Sequence, residues 1–229
     1  MIPLQKQSVP SNKLSLLETN GNAEQMNVTV FNFEKQLMNL LQDKSLFGNI
    51  QNMDVNPDDP FGKYKAKNNY LSTVNSGNRY QRGYKNDKSS DTEFLIPIIF
   101  ACDETKVSNQ GKTSSWPLLF TTSILNQTMR NKPSAWRPLG YIPDLKLNTS
   151  INEEKQFKVE LKSIRLHQVL KTILKSFVEF QKNKQNDPIS LTLGNITKKV
   201  IIKALCFLLL VICKEETKWL VLHHAIQTK

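Results

Sequence analysis

Asp103 stands directly after Cys102 and a run of eight apolar residues, Phe94–Ala101 (FLIPIIFA). A run of that length with β-branched and aromatic members reads as a buried strand. A carboxylate at the mouth of such a strand is costly unless it is solvated, paired or bound to a metal. A carboxylate held at the end of a rigid strand suits metal ligation. Asp also starts turns readily, and the polar stretch Glu104–Ser115 follows, so the residue types alone leave both roles open. A second group, Arg79, Tyr80, Arg82, Tyr84 and Lys85, interleaves cations with aromatic rings. Such a patch can grip phosphates and stack on bases. The same aromatics, with Phe61, Tyr64 and Tyr70, can equally anchor an extended arm to a domain.

The elements that must position these residues are legible in outline. Residues 1–30 are polar and weakly patterned and read as disordered. Residues 31–92 begin with an amphipathic helix over 31–47, with Phe33, Leu37, Leu40 and Leu41 at helical spacing. The remainder of that stretch, rich in Asn, Asp, Gly, Ser and Lys, reads as a loop-rich arm. Residues 93–212 read as the compact part. The pattern predicts strands over 94–103, 116–124 and 135–142, the last bent or at an edge because of Pro138. A long helix is expected from Glu153 to Lys182, capped by Asn152, with Phe157, Leu161, Ile164, Leu170, Ile173, Leu174 and Phe177 on its apolar face. His167 falls near the edge of that face and reads as a boundary residue. A hairpin with a Gly194–Asn195 turn and a buried run, Val200–Ile212, complete the order. Three strands, a long helix and a further strand make an α/β fold.

The chain has 229 residues and a net charge of +11, with a sequence pI of about 9.5. The excess is concentrated in residues 151–229, which carry 14 Lys/Arg against 7 Asp/Glu. A basic balance suits a polyanion, and a solvated lysine-rich helix face explains it equally well. Cys102, Cys206 and Cys213 lack metal-ligand spacing and read as thiols of a reducing compartment. The start of the chain has no apolar signal-peptide core, and Ala204–Cys213 is too short to span a bilayer. The expectation is a nuclear or cytoplasmic protein, with no membrane partner.

Residues 94–145 resemble the core of Plavaka-type transposases, related to the Kyakuja–Dileera–Zisupton group. The resemblance rests on Asp103, Thr105, Gly111–Lys112, Trp116–Pro117, Asn126, Arg130, Lys132–Pro133–Ser134 and Leu139–Gly140–Tyr141–Pro143, all in order. DPFGKY at 59–64, VNSG at 74–77 and RLHQVLKTILKSF at 165–177 extend it to about residues 31–210. It implies a partial RNase-H-like core carrying a DDE-type site, in which Mg²⁺ ions held by three carboxylates drive DNA cleavage and strand transfer. On this resemblance Asp103 is the first carboxylate, both catalytic and metal-binding. DNA is the partner, and Arg79, Arg82, Lys112, Arg130 and Lys132 are the nucleic-acid-binding candidates.

The second carboxylate of the family follows the later buried strand, just past Leu210. Here VICKEETKWLVLHHAIQTK follows, with no Asp. If the Leu210 codon ends in G, the neighbouring reading frame permits Gly-Asp at that point, and on that reading 211–229 is an aberrant, frame-shifted tail in which His223 and His224 have no metal role. In the present frame only Glu215 or Glu216 offers a substitute. The expectation is therefore a transposase fragment that is inactive alone. The alternative is a non-catalytic DNA-binding or regulatory protein derived from a transposase, using the basic helix face with Arg79 and Arg82.

Overall fold

A computed structural model describes residues 13–14, 26–62, 82, 85–86, 90–102, 105–106, 114–143, 155–182 and 188–211. In chain order the elements are β1 (Lys13–Leu14), β2 (Met26–Asn27), β3 (Thr29–Val30), α1 (Phe33–Leu41) and α2 (Lys44–Phe47). Then come β4 (Glu93–Cys102), β5 (Thr105–Lys106), β6 (Ser114–Thr122), α3 (Gln127–Arg130) and β7 (Arg137–Ile142). The helices α4 (Lys155–Ile173) and α5 (Lys175–Lys182) lead to β8 (Ile189–Leu193) and β9 (Ile196–Val211). β1 and β2 pair with each other as a two-residue ladder.

The main sheet is mixed, in the order β3-β7-β6-β4-β9-β8, with β5 pairing β6 beside that path. β4, β6 and β7 form an antiparallel meander. β9 pairs β4 in parallel, and the helices α4 and α5 make the crossover that a parallel pair requires. β4 is buried at every position from Phe94 to Phe100, as a central strand covered on both faces must be.

Pro97 lies inside this central strand without breaking it. The β4–β6 ladder begins only at Ile98↔Thr122, and the Pro97 carbonyl accepts from Ser123 N–H and Thr122 Oγ1, both at 3.0 Å. Pro138 is accommodated differently. The β6–β7 register shifts between Leu118 and Leu119, and the β3–β7 pairing ends at Val30↔Gly140. Pro138 therefore sits at a bulge, although β7 is covered by β3 and is not an edge strand.

The core is aromatic where helix meets sheet. Phe33 of α1 lies 5.0 Å from Phe120, 4.8 Å from Phe177 and 5.4 Å from Phe180, ring centre to ring centre. Phe100 of β4 lies 5.1 Å from Phe177. One cluster thus joins α1, β4, β6 and α5. Gly140 marks the tightest approach: a Cβ there would meet Ile173 Cγ2 at 2.7 Å and the Thr29 carbonyl at 2.8 Å.

Several expectations shift. The helix over 31–47 is two helices, because Asp43 caps a second start by accepting from Ser45 N–H. Asn32 caps the first by accepting from Lys35 N–H. The expected third strand starts at Arg137, since Pro133–Ala135 form a 3₁₀ turn. The long helix divides at Leu174, yet Leu174 N–H still bonds the Leu170 carbonyl and Val178 N–H the Leu174 carbonyl. Ile164, expected on the apolar face, is 54% exposed, and His167 is also exposed rather than at the boundary of that face. Val169, Leu170, Ile173, Leu174, Phe177 and Phe180 face the core. The expected Asn152 cap and residues 151–154 lie outside the described residues, as do 1–12, 15–25 and the tail 212–229.

Candidate functional site

The fold fixes one edge where β4 and β9 finish together. The two strands run in the same direction, and their register ends on Ala101↔Leu210 and Cys102↔Val211. A register shift between Ile98 and Ile99 makes Phe207 the extra residue of β9, so the two strands still end opposite each other. Cys102 is buried at 1% exposure. Asp103 is the next residue in the chain and lies outside the described residues. The residue after Val211 likewise begins the undescribed segment 212–229, which holds Glu215 and Glu216.

The connection from β4 to β6 starts and returns at this same edge. Thr105 pairs Ser115 and Lys106 pairs Ser114, so the base of this polar stretch is a short ladder. Lys112 belongs to this connection and lies outside the described residues, as does Arg79. Arg82 is exposed and helical.

Arg130 and Lys132 are placed elsewhere. β6 runs antiparallel to β4 and leaves it at Ile98↔Thr122, so the β6–β7 connection emerges towards the opposite end of the sheet. Ile98 and Cys102 are four positions apart along β4, roughly 13 Å at about 3.3 Å per residue. Alternation of direction in a meander imposes this separation. It places Arg130 and Lys132 at the end of the sheet opposite Cys102, while Lys112 and Asp103 lie outside the described residues.

At that other end the family-like segment 126–140 is built into the scaffold. Asn126 caps α3 by accepting from Met129 N–H at 2.9 Å, and its Nδ2 donates to the Gln51 carbonyl at 2.8 Å. The adjacent backbones are joined by Asn126 N–H to Asn52 O and Asp54 N–H to Ile124 O. Trp136 Nε1 donates to the Arg130 carbonyl at 2.7 Å. Arg130 is partly buried, and its Nη1 has no hydrogen-bond partner among the described residues. Burial lowers its guanidinium pKa, against the opposing pull of Asp54. Burial likewise pushes the Asp54 carboxyl up, and Arg130 offsets part of that rise. Lys132 is exposed.

Sequence reasoning missed the neighbouring pair Arg137 and Asp43. Arg137 Nη2 lies 3.2 Å from Asp43 Oδ2, and Arg137 Nε donates to Asn39 Oδ1 at 3.0 Å. These contacts clamp β7 to the α1–α2 junction across more than ninety residues, a separation no local pattern reveals.

Among the described residues no group of three or more His, Cys, Asp or Glu side chains is arranged to hold a metal ion. Among them also, no helix is long and apolar enough to cross a membrane. Of the cysteines, Cys102 is buried, while the side chains of Cys206 and Cys213 lie outside the described residues.

No curated protein matches the chain. A family model described as Plavaka transposase matches residues 4–204. The match starts well before the residues whose motifs carry the resemblance, and it stops short of Leu210, where the family's second Asp is expected. It spans most of the chain, including β4, the β6–β7 connection, α4 and α5. The chain belongs to the Plavaka transposase family.

Proposed function

We propose that the chain forms the first part of the catalytic core of a DDE-type transposase, with an RNase-H-like strand order and Asp103 as its first carboxylate. The observation that supports this reading most strongly is the parallel pairing of β4 with β9, which brings Cys102 opposite Val211. A nucleotidyl-transfer site of the two-metal kind needs carboxylates converging from neighbouring strand ends. A meander, a crossover helix and a parallel strand beside the first strand provide such an edge. The transposase family depends on divalent metal, and Mg²⁺ is the proposed ion. The described residues do not by themselves build its site.

The second strand end is where this chain departs. The stretch 211–229 contains Glu215 and Glu216 but no Asp. One carboxylate leaves the metal ions without their bridging and terminal oxygens, so the chain alone carries out neither cleavage nor strand transfer. Sequencing the transcript from codon 200 past codon 229 tests this. The expected result is Gly-Asp after Leu210 in the neighbouring frame, within a long open frame. Stops in all frames, with no such Asp, would overturn the catalytic reading in favour of DNA binding without catalysis.

That second reading has an observation of its own. The outward face of α4 and α5 carries exposed lysines, as a surface for the DNA backbone would.

A further inference from the structure

We propose that the outward ridge of α4 and α5, made by His167, Lys171, Lys175 and Lys182, is a contact surface for the phosphate backbone of duplex DNA. The inference rests on the DNA-directed reading above and assigns it a surface.

The four residues are all exposed. At about 100° per residue, positions 167, 171, 175 and 182 fall within roughly 80° of one another, so they form one stripe. Ile164, 54% exposed, extends the same stripe towards the start of α4. The irregularity at Leu174 does not interrupt it, because the backbone bonds continue on both sides. From Lys171 to Lys182 the ridge is about 16 Å long at 1.5 Å per residue, enough to follow several successive phosphates.

Among the described residues from 164 to 182 the helices carry one acid, Glu179, on the flank of the stripe, and its Oε1 lies 3.8 Å from Lys175 Nζ. Both partners are more than half exposed, so the pair is weak and leaves the lysine available to a phosphate. The buried side of the same helices, Val169, Ile173, Phe177 and Phe180, is fully committed to the core. The lysines are therefore not needed for packing. The opposite end of the sheet offers a contrast: among the described residues Arg130, Lys132, Lys198 and Lys199 share it with Asp54, Asp58, Asp59 and Asp91, four cations against four acids.

Backbone binding of this kind is read from its salt dependence, with a slope of about 0.9 for each phosphate neutralised. The full chain is titrated with a duplex of mixed sequence at several salt concentrations. The triple variant Lys171→Gln, Lys175→Gln, Lys182→Gln is compared with the charge-matched Lys132→Gln, Lys198→Gln, Lys199→Gln. Equal melting temperatures establish that both variants stay folded. The ridge variant is expected to lose up to about 2.7 from the slope, and the charge-matched variant much less. Equal losses in the two variants, or no loss in either, would overturn the ridge while leaving DNA binding in place. A wild-type chain that binds no duplex at low salt would overturn the DNA-directed reading and the ridge together. Ridge-dependent binding to anionic phospholipid vesicles without duplex binding would overturn it in favour of a membrane surface.

Discussion

Cys102 and Val211 lie opposite each other in a parallel ladder, at the ends of two strands separated in the chain by the whole crossover. Neighbouring strands are about 4.8 Å apart, so residues that follow these two start from adjacent points. On the proposed reading, Asp103 at this edge requires a second carboxylate just past Val211. Without a second Asp, the chain is predicted to leave supercoiled DNA intact with Mg²⁺ or Mn²⁺, at the level of an Asp103→Ala variant. Nicking that is lost in Asp103→Ala and abolished by chelation would show that another residue completes the site.

Gly140→Ala tests the packing of the helical layer on β7. The added Cβ would meet Ile173 Cγ2 and the Thr29 carbonyl well inside contact distance. Overpacking of this kind costs about 1–3 kcal/mol. Urea denaturation is expected to show a lower midpoint with an unchanged slope. An unchanged midpoint would mean that β3, β7 and α4 do not meet there.

Phe33→Ala removes the ring shared by Phe120, Phe177 and Phe180. A fully buried phenylalanine truncated to alanine costs about 3–5 kcal/mol. The loss is read in the same denaturation experiment. A loss below about 1 kcal/mol would place α1 outside the core.

The clamp between Arg137 and Asp43 carries a pH dependence. Burial pushes the Asp43 carboxyl up, but the Ser45 hydroxyl and N–H and the Arg137 guanidinium outweigh it and hold the pKa below its ordinary value. The folded value is thus lower than the unfolded one. The stability it contributes is complete above the unfolded value, about pH 4, and disappears as pH falls through the folded value. Asp43→Asn is expected to melt lower than wild type at pH 7, with the difference narrowing below pH 4. A difference independent of pH would assign the effect to packing alone.

Much of the sheet could be read from local pattern. The Phe94–Ala101 run gave β4 because a strand buried on both faces needs no alternation, and ISLTLGNITKK gave the hairpin through Gly194, which adopts φ +60°. What escaped was set by distant partners. Thr29 and Val30 become a strand only because β7 offers them an edge, and Phe31 N–H then bonds the Leu139 carbonyl. Ile164 fits the helical apolar pattern yet lies outside the stretch that meets the sheet. The site was legible only as residue types. That Arg130 lies at the end of the sheet opposite Cys102 follows from strand direction, which no single segment encodes.

The pairing of β4 with β9 can be measured directly by cross-linking Cys102 to a cysteine introduced as Val211→Cys, with Cys206 and Cys213 replaced by alanine. Directly paired positions on neighbouring strands fall within the Cα separation a disulfide accepts, about 4.4–6.8 Å. The 102–211 bridge is expected to form rapidly under mild oxidation, with little bridging from Leu209→Cys. Failure at 211 with efficient bridging from 209, or none from either position, would contradict the register on which the site depends.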